Sequence, residues 1–328
     1  MRAFLKNVVW FVGIQVVIIA AVLWSYWRQY PPAQHFLAAS IDKERLLRTQ
    51  ASPRLIFIGG SSMAFGVDSA KIAEACDRHP VNMGLHAALG LKFMLKETEP
   101  HIRSNDWVIV APEYQQFVRA SGQSEMLMNL LEANPSAAPL LTREQWTTAL
   151  DIGFVQRFGK MVRAVFGRPG RFFRKNTIVS NSRLYYRRLG FNENGDVIAH
   201  LNVKSKGLRE REFRFSHQDE LVYETIEQIN RFSAAATTRG AKVFFSHPPL
   251  LREVFEQNRT VIQHLETSLN NRLKISQIDS AEELTYPTED FFDTWYHLAK
   301  TGVEKRTRFL AERMARQANA EGASVPRN

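Results

Sequence analysis

The sequence contains a single cysteine, Cys76, among its 328 residues. One cysteine excludes a disulfide bond within the chain and any zinc or iron–sulfur site built from several cysteines. Its neighbours Ile72, Ala73 and Val81 are apolar, which favours a buried thiol over a reactive one. The nine histidines also lack the helical i, i+4 spacing with a carboxylate that marks many zinc sites. The sequence therefore predicts neither a metal nor a cofactor.

Acidic residues are missing from one long stretch of the chain. The 32 residues 157–188 hold ten basic residues and no acidic one. The whole net charge of +10 comes from this stretch, since the remainder balances 33 basic against 33 acidic residues. A charge excess confined to one segment argues against a nucleic-acid-binding protein. The composition, 45% hydrophobic and 23% charged, is typical of a globular protein and unlike that of a multi-span membrane protein.

Charge is absent from the 21 residues between Lys6 and Arg28. A helix of that length spans about 30 Å, the thickness of a bilayer core. Aromatic residues cluster at its distal end, and Pro31 and Pro32 then stop the helix. No small-residue cleavage site follows it, so we expect residues 1–32 to be an uncleaved anchor. The expected location is the inner membrane, crossed once, with the following domain facing the periplasm or the cell exterior.

After the anchor, short apolar runs alternate with amphipathic stretches. The apolar runs predict strands at 55–58, 81–83, 107–110 and 242–245. The intervening patterns predict helices from Asp68, over 87–98, 219–235 and 252–271, and after residue 300. A βαβαβ order implies a parallel sheet and hence an α/β fold. We expect this domain in two parts, 33–119 and 216–318, separated by an insertion at 120–215 and followed by a disordered tail at 319–328.

The first predicted strand leads directly into Gly59-Gly60-Ser61-Ser62. Small residues there allow a sharp turn that presents a serine at the carboxyl edge of the sheet, where open α/β sheets bind ligands. The stretch is not a G-x-S-x-G elbow, because Ala64 replaces the second glycine, and it lacks the lysine of a P-loop. A plain tight turn or a phosphate cradle is the alternative interpretation.

A second candidate stretch, Asp293-Thr294-Trp295-Tyr296-His297, precedes the last predicted helix. A serine needs a base to become a nucleophile, and an imidazole serves best when a carboxylate orients it. Asp293 and His297 are close enough in sequence to make that contact. The alternative is a histidine that caps or packs beside the final helix.

Taken together, three motifs resemble those of the SGNH, or GDSL-like, hydrolase superfamily. They are the serine after strand one, the Asn82-Met83-Gly84 stretch after strand two, and the late Asp293 with His297. The closest resemblance is to the membrane-anchored branch, which includes polysaccharide O-acetylation proteins and D-alanyl transfer proteins. It covers roughly 54–115 and 218–318 and implies a three-layer, flavodoxin-like domain.

The resemblance implies a catalytic set of Ser62, His297 and Asp293, with Ser61 in a variable place. It implies oxyanion donors at the backbone N–H groups of Ser62 and Gly84, with Asn82 beside them. The family acid normally lies three residues before the histidine, whereas Asp293 lies four before it, so Asp290 and Glu289 stay open as partners.

The family's Gly-x-Asn-Asp block after strand three is replaced here by Ala111-Pro112-Glu113-Tyr114. This replacement removes an asparagine oxyanion donor and places Glu113 and Tyr114 at the site. His86 and His247 lie at other predicted strand ends and are further candidates, with packing roles as the alternative.

Within the insertion, apolar residues between Phe154 and Phe166 repeat at three- and four-residue spacing with basic residues between them. The pattern predicts a basic amphipathic helix, which would bind an anionic membrane surface through residues 154–175 or contact an anionic polysaccharide. Packing against the domain is the alternative. Residues 192–196, Asn-Glu-Asn-Gly-Asp, predict a hairpin turn.

The leading hypothesis is a membrane-anchored serine acyltransferase or esterase acting on O-acyl groups, chiefly acetyl, of a cell-envelope polysaccharide. For a transferase, the resemblance implies a multi-span membrane protein as acyl donor. A non-catalytic glycan-binding or partner protein of a polysaccharide complex is the main alternative. A lipid esterase is the third.

Overall fold

The structure is a computed structural model that describes residues 2–29, 32–117, 122–148, 159, 181–205, 207–208, 215 and 219–324. The helices are α1 (Arg2–Gln29), α2 (Ala39–Thr49), α3 (Ser61–Ala64), α4 (Ser69–Glu74), α5 (Leu91–Thr98), α6 (Ser124–Ala133), α7 (Arg143–Thr148), α8 (Asp219–Thr238), α9 (Arg252–Gln257), α10 (Arg259–Arg272) and α11 (Lys300–Ser324). The strands are β1 (Arg54–Gly59), β2 (His79–Asn82), β3 (Trp107–Ala111), β4 (Lys242–Phe245), β5 (Leu250–Leu251), β6 (Ser276–Gln277) and β7 (Thr285–Tyr286).

Five strands form a parallel sheet in the order β2-β1-β3-β4-β6. Every residue of β1 and β3 is buried, as expected for central strands covered on both faces. The order is that of a doubly wound sheet, in which the order of the strands reverses between β1 and β3 while all five strands stay parallel. The predicted α/β fold with a parallel sheet is therefore confirmed, and the switch point locates the crevice where such sheets bind ligands.

Alternating side chains of the central strands build two cores. Ile56, Ile58, Val108 and Val110 belong to a large core on one face, together with residues of α5 and α8. On the other face, Leu55, Phe57 and Ile109 pack with Leu310 and Met314 of α11 and with residues of α4. The period-two alternation of each strand thus supplies both layers of the domain.

A buried ion pair holds the start of β1 to the turn before β3. Arg54 Nε donates to Asp106 Oδ1 at 3.0 Å, and both side chains are fully buried. Arg54 also donates to the carbonyl oxygens of Leu47 and His101, and the Arg103 N–H donates to Asp106 Oδ2 at 2.7 Å. The guanidinium therefore links α2, β1 and the segment leading into β3.

The second half of the insertion is hydrogen-bonded to the domain. The predicted turn at 192–196 is confirmed, because the Asn192 N–H donates to the Asp196 carbonyl at 2.8 Å and residues 191 and 197 form an antiparallel bridge. The buried Asp196 carboxylate accepts hydrogen bonds from Asn82 and Ser69. Lys43 donates to the carbonyls of Asn82 and Gly195, and burial lowers the pKa of this lysine to about 7.

Some of the expectations from the sequence differ from the structure, and one lies almost entirely outside the described residues. The helix expected over 252–271 is divided into α9 and α10 at Asn258. A disordered tail is expected from 319, whereas α11 continues to Ser324, and 325–328 lie outside the described residues. The basic amphipathic helix predicted within 154–175 also lies outside the described residues, apart from the single residue Gly159.

The predicted anchor segment forms the 28-residue helix α1. Its side chains from Phe4 to Ile18 include many large apolar groups that are exposed, such as Trp10 at 65% and Val17 at 67%. Across the part of the chain that the structure describes, no helix reaches the length and apolar content that a membrane span requires.

Candidate functional site

A cavity of about 480 Å³ lies at the carboxyl edge of the sheet, beside the switch between β1 and β3. This size and position are usual for small-molecule sites in α/β proteins. Its walls come from residues that follow β1, β2 and β3, from the segments before α2 and α11, and from the insertion. The lining residues are His35, Phe36, Leu37, Ser61, Phe65, His86, Glu113, Gln115, Met126, Asn129, Tyr186, Asp293, Thr294, Trp295, Tyr296 and His297.

The loop before α11 brings Asp293 and His297 together. The Phe292 N–H donates to the His297 carbonyl at 2.8 Å, and Thr294 Oγ1 accepts the His297 N–H at 3.1 Å. This tight loop places His297 Nδ1 2.9 Å from Asp293 Oδ1, with both side chains buried. The contact favours a proton on Nδ1 and leaves Nε2 to accept one.

The other two candidate acids do not contact the imidazole. Asp290 is buried and accepts a hydrogen bond from Lys305 Nζ at 2.6 Å, and Glu289 is exposed. The four-residue spacing is therefore compatible with an Asp–His pair, because the loop folds back on itself between the two residues.

Tyr186, from the insertion, completes this pair and was missed from the sequence. Its hydroxyl donates to Asp293 Oδ2 at 2.6 Å and lies 3.3 Å from His297 Nδ1. The residue lies within the basic segment, next to Tyr185, and is distant in sequence from Asp293. A Tyr-Tyr pair among arginines was the available signal, but it indicates no particular contact.

The two serines after β1 face different surroundings. Ser61 lines the cavity, and its Oγ donates to Glu113 Oε1 at 3.3 Å. Ser62 is fully buried and is not among the lining residues, and its Oγ makes no hydrogen bond of good geometry within the described chain. The structure thus places Ser61 on the cavity wall, although the resemblance assigns it to a position that varies within the family motif.

His297 lies directly against the helix that carries these serines. The Phe65 N–H donates to the Ser61 carbonyl at 2.8 Å, one turn along α3. The Phe65 ring stacks on the His297 imidazole with centroids 4.2 Å apart and planes 8° from parallel. The imidazole and Ser61 both line the cavity, and Phe65 lies between the two segments that carry them.

Glu113, after β3, is the carboxyl group of the cavity that contacts both serine residues. Its Oε1 accepts the Ser62 N–H at 2.9 Å as well as the Ser61 hydroxyl. Burial raises the pKa of Glu113, although the Ser62 N–H, His297 and the serine hydroxyls act in the opposite direction. Tyr114, the next residue, is buried beneath the cavity, and its N–H donates to the Tyr296 hydroxyl at 3.2 Å.

Asn82 and Gly84 lie behind α3 and not among the cavity-lining residues. Asn82 Nδ2 donates to Asp196 Oδ1 at 2.7 Å, and Asn82 Oδ1 accepts the Gly84 N–H at 2.8 Å. A Cβ at Gly84 would lie 2.8 Å from Met63 Cβ, so close packing against α3 requires glycine here. Both expected oxyanion donors, the N–H groups of Ser62 and Gly84, are thus engaged by side-chain oxygens.

The two further histidines differ in position. His86 lines the cavity and accepts the Ala88 N–H at 3.2 Å, and burial, with smaller effects of His297 and His35, lowers its pKa to about 4. His247 follows β4 and lies 3.0 Å from Asp279 Oδ1, away from the cavity wall. Among the described residues, no group of three His, Cys, Asp or Glu side chains is arranged to hold a metal ion.

No protein-family profile matches the chain, and a search of curated proteins finds no similar sequence.

Proposed function

We propose that the chain is a serine-dependent acyl-transfer enzyme, an esterase or O-acyltransferase, with its active site in this cavity. The observation that carries the proposal is that Ser61 lines the same cavity as the hydrogen-bonded pair of His297 and Asp293, at the sheet's switch point. Ser61 is proposed as the nucleophile instead of Ser62, because its hydroxyl borders the cavity. His297 accepts the serine proton, and Asp293 orients the imidazole.

The substrate class follows from the resemblance to the membrane-anchored SGNH-like branch. The proposed substrate is an O-acyl group, chiefly acetyl, on a cell-envelope polysaccharide, and a multi-span membrane protein is the proposed donor for a transferase. The helix α1 is the proposed anchor in the inner membrane, supported by the exposed apolar side chains between Phe4 and Ile18. The domain would then face the periplasm or the cell exterior.

The proposal predicts covalent labelling of Ser61 by a fluorophosphonate probe, which reacts with activated serines. We expect the full-length protein to be labelled, Ser61→Ala to lose the label and Ser62→Ala to retain it. Mass spectrometry of the labelled peptide identifies the modified residue. Ser62→Ala is the matched control, because it removes a hydroxyl from the neighbouring position of the same helix.

Loss of label in Ser62→Ala with retention in Ser61→Ala would return the nucleophile to Ser62. An unlabelled wild-type protein would contradict the proposal that the chain is a serine-dependent enzyme. A membrane-impermeant form of the probe tests orientation, since it labels intact spheroplasts only if the domain lies outside the cytoplasm.

A non-catalytic glycan-binding protein is the second candidate, and one observation favours it. Glu113 Oε1 and Asn82 Oδ1 already accept the two N–H groups that an oxyanion would need. In that case the aromatic cavity would bind a sugar without reaction, and neither serine would be labelled.

The contact from the insertion leads to a prediction of its own. Tyr186→Phe removes the hydroxyl that donates to Asp293 at 2.6 Å. A hydrogen bond to a charged group contributes about 1.5–3 kcal/mol. Because this bond holds the carboxylate that orients His297, we expect its loss to slow labelling roughly 10-fold. Tyr185→Phe is the control, because this neighbouring ring is buried and packs against Phe292. Equal labelling rates for both variants would show that the insertion does not position the pair.

A further inference from the structure

We propose that Glu113 in its neutral carboxylic acid form is the oxyanion donor of this site. The inference rests on the proposed function, since it assigns a role within the same acyl transfer. It accounts for the missing asparagine of the family motif, because Glu113 follows the same strand, β3, and lines the cavity beside Ser61.

The first support is the way in which the carboxyl group is held. Oε1 accepts both the Ser62 N–H at 2.9 Å and the Ser61 hydroxyl at 3.3 Å, and no hydrogen bond to Oε2 occurs within the described part of the chain. Gly60 permits this approach, because a Cβ there would overlap Glu113 Oε1 and lie 2.8 Å from Ala87 Cβ. The Glu113 N–H is fixed in turn by Gln116 Oε1 at 2.9 Å. One carboxyl oxygen is thus anchored, and the other is left for a bound molecule.

The second support is the electrostatic setting. Glu113 is 3% exposed, and burial raises its pKa above the ordinary value of 4.5. The ionisable groups that face it are His297 and Tyr296 from the loop before α11, Arg306 from α11, and His86 from the segment after β2. Positive charge on His297 or Arg306 favours the carboxylate, but the removal from water favours the neutral acid.

The chemistry balances with this assignment. Ser61 Oγ forms a bond to the carbonyl carbon, its proton passes to His297 Nε2, and the carbonyl electron pair moves onto the oxygen. That oxyanion accepts a hydrogen bond from the Glu113 O–H, which keeps its proton throughout. When the tetrahedral intermediate collapses, the ester C–O bond breaks and the alcohol leaves with the proton held by His297.

The test compares Glu113→Gln with the wild type over a range of pH. A glutamine places its carbonyl oxygen where Oε1 lies and its NH₂ where Oε2 lies, so it donates at every pH. The wild type donates only while Glu113 is protonated. We therefore expect the ratio of fluorophosphonate labelling rates, variant over wild type, to rise with pH, approaching tenfold per pH unit above the pKa of Glu113. Glu113→Ala should label roughly 10²–10³-fold more slowly than the glutamine variant.

Two controls keep the outcomes separate. Glu289→Gln changes an exposed acid near the site and should give a ratio that does not change with pH. Circular dichroism establishes whether each variant is folded, and a folded Glu113→Asn variant, whose shorter amide cannot reach both partners, should behave like the alanine variant.

A ratio that falls with rising pH would overturn the inference, because the ionised carboxylate of Glu113 would then be the form that promotes labelling. A ratio that stays constant would overturn it too, because the protonation of Glu113 would then have no effect on labelling. A Glu113→Ala variant that labels as fast as the wild type would overturn it as well and indicate that Glu113 blocks the site. Failure of the wild type to label at either serine would contradict the proposed function itself.

Discussion

Replacing His297 with alanine should slow the reaction of Ser61 with a fluorophosphonate by roughly 10³–10⁴-fold, because a serine without a general base is a weak nucleophile. The effect should exceed that of Tyr186→Phe, since His297 takes the proton itself and Tyr186 acts through Asp293. The rate constant is measured from the time course of labelling of the full-length protein. Added imidazole should restore part of the rate, because the cavity of about 480 Å³ has room for the free base.

The control for this experiment is His264→Ala, which changes an exposed histidine on α10, away from the cavity. It should label at the wild-type rate. Wild-type labelling of His297→Ala would remove the Asp–His pair from the mechanism and leave Glu113, which contacts Ser61 directly, as the alternative base.

The largest expected loss of stability belongs to the ion pair between Arg54 and Asp106. Asp106→Asn leaves a fully buried guanidinium without its counter-charge, and breaking such a pair costs about 3–5 kcal/mol in the free energy of unfolding. Urea unfolding of the full-length protein in detergent, followed by tryptophan fluorescence, measures the change. Trp107 is buried next to Asp106 in sequence and serves as a reporter.

The matched control is Glu44→Gln, which removes the negative charge 2.7 Å from the Arg48 guanidinium in a surface pair. Exposed pairs contribute little, so we expect a loss below about 1 kcal/mol. The double variant Arg54→Met with Asp106→Leu removes both buried charges and should recover much of the loss. Equal unfolding free energies for Asp106→Asn and the wild type would mean that Arg54 is satisfied by the carbonyls of Leu47 and His101 alone.

Local pattern was sufficient to predict the centre of the fold. The apolar runs at 55–58 and 107–110 lie within β1 and β3, and Asp68 caps α4 by accepting the Lys71 N–H. These features depend on residues adjacent in sequence, whose burial and hydrogen bonding are set by periodicity and side-chain chemistry. The contact of Asp293 with His297 belongs to the same class, because four residues on one tight loop make it.

The choice between two adjacent serines could not be made from the sequence. Successive residues on a helix point about 100° apart, so the phase of α3 decides which hydroxyl borders the cavity. That phase is set by distant contacts, such as the hydrogen bond from Arg306 Nη1 to the Ser62 carbonyl at 2.8 Å. The role of Tyr186 is equally non-local, since it lies 107 positions before Asp293 in the sequence.

The cavity walls include His35, Phe36 and Leu37, which follow α1 almost at once. His35 lies six positions after Gln29, and a fully extended chain of that length reaches about 20 Å. If α1 is the anchor, as proposed, the linking segment keeps the cavity within about 20 Å of the membrane surface. An acyl donor embedded in the same bilayer would then reach the cavity by lateral diffusion in the membrane. A polysaccharide substrate would have to pass close to the membrane surface to reach the same cavity.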